Sequence, residues 1–188
     1  MFATIYLPNF YLQAATRHQP ELCEKPVALI EEHERKPVVI QLNEAAENAG
    51  IQKGMTPSQA LARWLHVTIK VRAHIQEKFI QEILIQCAFT LSPFVEATAP
   101  GICTIQFMDN RNLSEKAWHS EPVLRRISRV IQQLDQCQIR AQAAIGSTPD
   151  TSFLAAHLAR PVLQVENAKE FLGTLSIETL ATCCPAFP

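Results

Sequence analysis

The residue types that could do chemistry in this 188-residue chain are few and scattered. Two-metal phosphoryl transfer needs several Asp or Glu gathered on adjoining strands. Asp is scarce here, at three of eighteen acidic residues. The six His (18, 33, 66, 74, 119 and 157) form no H-x-x-x-H pair. His157 falls on a helix and reads as a polar face residue rather than a ligand. The six Cys (23, 87, 103, 137, 183 and 184) contain no CxxC pair, and the adjacent Cys183 and Cys184 are poorly placed to share one ion. They read as small buried hydrophobes. The stretch Ser147-Thr148-Pro149-Asp150-Thr151-Ser152 has no G-x-S-x-G frame and no His or Asp partner in a recognisable pattern. Caps and turns are its expected role. Walker A and G-x-G-x-x-G sequences are absent. Neither a metal nor a cofactor is expected.

Composition sets the frame for these side chains. Apolar residues are 47% and charged residues 19%, enough for a packed core and unlike a disordered chain. The formal net charge is −1, so a grip on nucleic acid by overall charge is excluded and any such contact must be local. Residues 1–50 hold four Lys/Arg against seven acids, whereas residues 111–160 hold seven against four. The N-terminus lacks a basic n-region and reaches Pro8 too early for a signal peptide. The uncharged runs Met1 to Thr16, with 16 residues including Pro8, and Ile83 to Val95, with 13 including Pro93, are too short to span a bilayer. A cytoplasmic protein without a membrane partner is expected.

The pattern of elements follows from periodicity and punctuation. Residues 3–7 read as a strand, 10–17 as a short helix, and 27–42 as a hairpin around the charged run 31–36. Asn43 caps a short helix closed by Gly50, and Thr56-Pro57 starts another that runs to about Trp64. Residues 66–71 alternate like a strand. A helix over 74–91 shows an apolar face at Phe79, Ile80, Ile83, Leu84, Cys87 and Leu91. Strands follow near 94–98 and 102–107 around a Pro100-Gly101 turn, then a polar loop over 108–119. Ser120 is expected to cap a helix with Val123, Leu124, Ile127, Val130, Ile131 and Leu134 on one face. Arg125, Arg126 and Arg129 on that helix read as a solvated face rather than phosphate contacts. A strand over 139–145, a helix capped by Asp150 or Thr151 and a last strand over 162–165 complete the chain. Without residues 9–70 the order is strand, helix, strand, strand, helix, strand. This predicts an α+β, ferredoxin-like split βαβ sheet with a small helical insertion. The strands best placed to hold metals, Thr4 to Pro8 and Pro100 to Thr104, contain no carboxylate, and nearby Glu96 stands alone.

Four motifs then occur in order: Ile5-Tyr6-Leu7-Pro8-Asn9-Phe10-Tyr11; Pro20-Glu21-Leu22 to Lys25-Pro26-Val27; Asn43-Glu44-Ala45-Ala46-Glu47-Asn48-Ala49-Gly50 through Gly54-Met55; and Ile145-Gly146-Ser147-Thr148 through Leu154-Ala155 to Arg160-Pro161. Together they resemble the N-terminal palm and fingers of the Y-family (translesion) DNA polymerases. The resemblance places a palm at 1–9 and 71–166, fingers at 10–70, and in 167–188 the start of a link to a thumb that this sequence lacks.

The departures carry as much as the matches. The metal-binding Asp of the first strand falls on Tyr6 and its companion on Pro8. The second carboxylate pair falls near Gly101 and Ile102. The fingers Tyr and Arg that hold the incoming triphosphate fall on Glu44 and Glu47, exchanging attraction for repulsion at about 1–4 kcal/mol for each such contact near a protein surface. A basic residue at the palm's end is kept as Arg160, which the resemblance makes a DNA contact. The pattern is similar to the ImuB-like branch, polymerase-like proteins without the catalytic carboxylates. That likeness implies a non-catalytic scaffold in damage-induced (SOS) mutagenesis. Its implied partners are DNA, held weakly by this chain alone, a replication clamp, a RecA-like protein and an error-prone polymerase. Two other readings stand beside it: an active translesion polymerase using Glu96, Asp109 and Glu115, and an unrelated ferredoxin-like regulatory domain.

Overall fold

The computed structural model describes residues 1–31, 36–108 and 122–179. Its strands are β1 (Phe2–Tyr6), β2 (Val27–Ile30), β3 (Val39–Leu42), β4 (Thr68–Val71), β5 (Phe94–Ala99), β6 (Ile102–Gln106), β7 (Gln142–Gly146) and β8 (Val162–Gln164). Its α-helices are α1 (Phe10–Thr16), α2 (Glu44–Asn48), α3 (Pro57–Arg63), α4 (His74–Phe89), α5 (Val123–Gln136), α6 (Pro149–Leu158) and α7 (Ala168–Gly173). The chain forms two compact units, Met1–Pro8 with Ile83–Pro188, and Asn9–Glu82.

In the first unit the sheet order is β5-β6-β1-β7-β8. β1 runs antiparallel to both β6 and β7, β5 is antiparallel to β6, and β8 adds in parallel to β7. Helices α4 and α5 fall between strands in the order the ferredoxin-like pattern requires. Along β1, Ala3, Ile5 and the following Leu7 are fully buried by period-two alternation. Thr4 between them is also buried, and its Oγ1 lies 2.8 Å from Oγ of Ser152 on α6. Helix α6 packs on both β1 and β7. That approach requires Gly146, because a Cβ there would stand 2.9 Å from the Ser152 backbone nitrogen. The amphipathic α5 buries Ile127, Val130, Ile131 and Leu134, whereas Leu124 is exposed.

Several expectations change in detail. The cap of α6 is Thr148, whose side chain accepts from Thr151 N with Pro149 in the first turn; it is neither Asp150 nor Thr151. This repeats the Thr-Pro start of α3, where Thr56 and Gln59 form a capping box. The N-cap of α5 is Pro122, and Ser120 with the rest of 109–121 lies outside the described residues. On α4 the apolar face includes Ile80, Leu84 and Ala88, but Phe79 is exposed and Glu77 is buried. Of the cysteines, Cys103 is buried, whereas Cys23 and Cys137 are exposed, so the expectation of uniform burial fails. Cys183 and Cys184 lie outside the described residues.

The second unit holds a three-stranded sheet in the order β3-β2-β4, with β3 antiparallel and β4 parallel to β2. The insertion is thus a small α+β body rather than helices on a hairpin alone. The run Val27-Ala28-Leu29-Ile30 is buried on both faces because it is the central strand. Ala28 and Ile30 pack with Leu42, Ala46, Ile51 and Ala60; Val27 and Leu29 pack with Leu12 and Leu22. The unit runs past residue 70 to Glu82. One reason is visible in the ion pairs that tie the first turn of α4 to the end of β2. Arg72 holds Glu31 at 2.6 Å and Glu77 at 2.7 Å.

Candidate functional site

Strand register brings four residues of interest to one end of the β1–β6 pair. Tyr6 is paired with Ile102. Leu7 N donates to the Gly101 carbonyl at 2.8 Å, which places Pro8 and Gly101 at the same end. Gly101 adopts φ 74°, the left-handed conformation that its turn between β5 and β6 needs and that glycine takes without a Cβ penalty. Ile102 is buried.

The Tyr6 ring is stacked on His157 of α6, with centroids 4.1 Å apart and planes at 27°. His157 also lies 4.7 Å from the Phe153 ring, and its Nδ1 is 2.9 Å from the Phe153 carbonyl oxygen. Burial lowers the His157 pKa below its ordinary value, opposed by the hydrogen bond to Phe153. His157 is therefore a packed aromatic and not the polar face residue expected. Only its i,i+4 spacing from Phe153 hinted at this. Ala144, Ala155 and Ala156 form the small core against which Tyr6, Leu163, Val165 and Phe171 pack.

Among the described residues no group of three or more His, Cys, Asp or Glu comes together. Glu96 sits on the edge strand β5 opposite Thr104 and is exposed. The Thr98 and Thr104 hydroxyls bond each other at 2.7 Å. The nearby Cys103 thiol is pushed up to about 12 by burial, which leaves it a protonated core group. Arg160 Nη1 donates to the carbonyl of Ala159, the C-cap of α6, at 2.8 Å. A cation is favoured there by the helix dipole.

In the second unit, Asn43 is a hub. Its Oδ1 accepts from Val27 N and Ala46 N, both at 3.0 Å, and its Nδ2 donates to the Lys25 carbonyl at 2.7 Å. One side chain therefore starts α2 and aligns the head of β2. Glu44 and Glu47 on that helix are both exposed. Phe10 is buried. Tyr11 carries the Arg72 guanidinium over its ring at 4.0 Å. Arg72 also gives its Nε and both terminal nitrogens to Glu77 and Glu31. Its hydrogen bonds to Glu77, and then to Glu31, raise its pKa against the cost of burial. The sequence reading missed this cluster, because Glu31 and Arg72 are far apart in the chain and only the parallel β2–β4 pairing joins them.

The strand order β5-β6-β1-β7-β8 with its crossing helices is the ferredoxin-like α+β arrangement. The impB/mucB/samB family model matches residues 5–157, and the chain belongs to that family. Among solved structures it is similar to DinB from Sulfolobus solfataricus, with a TM-score of 0.77 at 13% identity over 95% of this chain and 52% of that one. It is also similar to Dbh DNA polymerase in an insertion ternary complex, with a TM-score of 0.77 at 12% identity over 95% and 53% of the two chains. A Y-family DNA polymerase chimera of Dbh and Dpo4 gives 0.71 at 13% identity over 95% and 53%. The chain spans about half the length of these structures. No curated protein matches it. No helix among the described residues is long and apolar enough to cross a membrane.

Proposed function

We propose that this chain is a non-catalytic, Y-family polymerase-like scaffold of the ImuB-like kind, working in DNA damage tolerance and damage-induced mutagenesis. Residues 1–9 and 71–166 serve as its palm, 10–70 as its fingers, and 167–188 begin the link to a thumb. The observation that carries the reading is the Tyr6–His157 stack beside buried Ile102 at the end of the β1–β6 pair. Tyr6, Pro8, Gly101 and Ile102 offer no carboxylate where two divalent ions would be held. On α2, Glu44 and Glu47 repel the triphosphate that the family's fingers attract. Its protein partners are the replication clamp, a RecA-like protein and an error-prone polymerase in the cytoplasm. DNA is held only in the non-specific range of about 10⁻⁴–10⁻⁶ M, with Arg160 supplying one phosphate contact. The test is primer extension with all four nucleotides and Mg²⁺ or Mn²⁺. No extension is expected, and an Asp at Tyr6 alone does not restore it, because groups that act as a unit fail together. Metal-dependent extension that is lost in Glu96→Gln would overturn the reading.

A further inference from the structure

Helix α4 has a second apolar side. Ile80, Leu84 and Ala88 are buried, whereas Ile75, Phe79, Glu82, Gln86 and Phe89 are all exposed. Ile75, Phe79 and Phe89 keep 71%, 53% and 48% of their surface in solvent, more than the scattered single exposures normal for a soluble chain. At about 100° per residue the five exposed positions fall within about 80° and centre directly opposite Leu84. The stripe runs about 21 Å along the helix. Its members are spaced 4, 3, 4 and 3 residues apart, the repeat that seats one helix against another by knobs into holes.

We infer that this stripe is a dimerisation surface whose occupant is α4 of a second copy of this chain, packed antiparallel. The reason is self-complementarity. When the two helices meet at the height of Leu84, a two-fold axis sets Phe79 of each copy against Phe89 of the other. Between those two aromatic layers, Glu82 of each copy meets Gln86 of the other, so a carboxylate accepts from an amide and no like charges face each other. Ile75 extends the seam by a turn at each end. A parallel pair would set Glu82 on Glu82 and is disfavoured by the like charge. A lipid surface would ask for cations around the apolar groups, and the centre of this stripe holds a carboxylate. The seam is short of the roughly 1,200–2,000 Å² that a stable interface buries, so a dissociation constant of about 10–100 µM is expected. None of this uses catalysis or DNA, so the inference does not depend on the proposed function.

Sedimentation equilibrium of the whole chain over about 5–500 µM tests it, and a monomer–dimer equilibrium is expected. Phe79→Glu should weaken the dimer at least about tenfold, because it removes both aromatic layers. Leu65→Glu, at an equally exposed apolar side chain that lies off α4, should stay within about twofold of the parent. Gln86→Glu places a second carboxylate against each Glu82 and should weaken the dimer about tenfold at neutral pH. The exchange Glu82→Gln/Gln86→Glu restores the pairing with its roles reversed, and should return to within about threefold of the parent. A parent that stays monomeric at about 500 µM would overturn the inference. So would a dimer that Phe79→Glu or Gln86→Glu leaves intact, one that the exchange does not restore, or one that Leu65→Glu disrupts equally. A thermal melt matching the parent's establishes that each variant is folded.

Discussion

At the end of the β1–β6 pair, the positions where the Y-family resemblance places carboxylates are occupied by groups that the fold uses: Tyr6 stacks on His157, Ile102 is buried and Gly101 makes a turn. On α2 the positions where it places the triphosphate-holding Tyr and Arg are Glu44 and Glu47, which are exposed and carry no packing role. The neighbouring Asn43, by contrast, makes three hydrogen bonds that the unit depends on. The first group of side chains is packed into the fold, whereas the second is exposed. Substitution at the first is therefore expected to disturb the fold more than substitution at the second.

The comparison can be broken most easily at Asn43. Removing its side chain in Asn43→Ala orphans the Val27 and Ala46 amides and removes the α2 cap, a loss of about 2–3 kcal/mol. Urea denaturation measures it, and a loss under about 0.5 kcal/mol would show that the hub is not structural. Next comes Tyr6→Asp. Losing a stacked ring costs about 0.5–1.5 kcal/mol beyond the buried area. We expect about 1–3 kcal/mol in total by thermal melting. A neutral result would mean that the β1–β6 end is as tolerant as α2.

The third test is one of pH. Burial lowers the folded pKa of His157, so the unfolded chain binds its proton more readily. Its contribution is therefore fully present above about 6.5, the ordinary histidine value, and is lost as pH falls through the lower folded value. Melting temperatures measured from pH 7.5 down to pH 5 should fall for the parent and fall less steeply for His157→Phe, which keeps a ring on Tyr6. Parallel curves would remove His157 from the account. The smallest effect belongs to Glu47→Arg, which should alter stability by less than about 0.5 kcal/mol, as exposed substitutions do. A larger loss would mean that α2 depends on its acidic face.

Much of the fold could be read from periodicity and punctuation. Thr56-Pro57, Asn43 and Pro100-Gly101 mark real starts and turns, and the helical spacing of Ile127, Val130, Ile131 and Leu134 matches their burial. The meeting of Tyr6 with Ile102 follows from two strands and the turn before β6. What stayed hidden depends on contacts distant in sequence. The parallel β2–β4 pairing carries no local signal, so the Arg72–Glu31 pair was invisible. His157 was misread for the same reason, since its partner Tyr6 stands at the other end of the chain. Arg126, expected on the solvated face of α5, is half-buried and donates to the Leu91 carbonyl, a contact distant in sequence.

We propose that the β1–β6 end holds no divalent ion. Titration of the purified protein with Mn²⁺, read by electron paramagnetic resonance of the free ion, addresses that end directly and does not depend on any other part of a polymerase. The account predicts no site of micromolar affinity, and no change when Glu96 is replaced by Gln. A site of micromolar affinity that is lost in Glu96→Gln would contradict it.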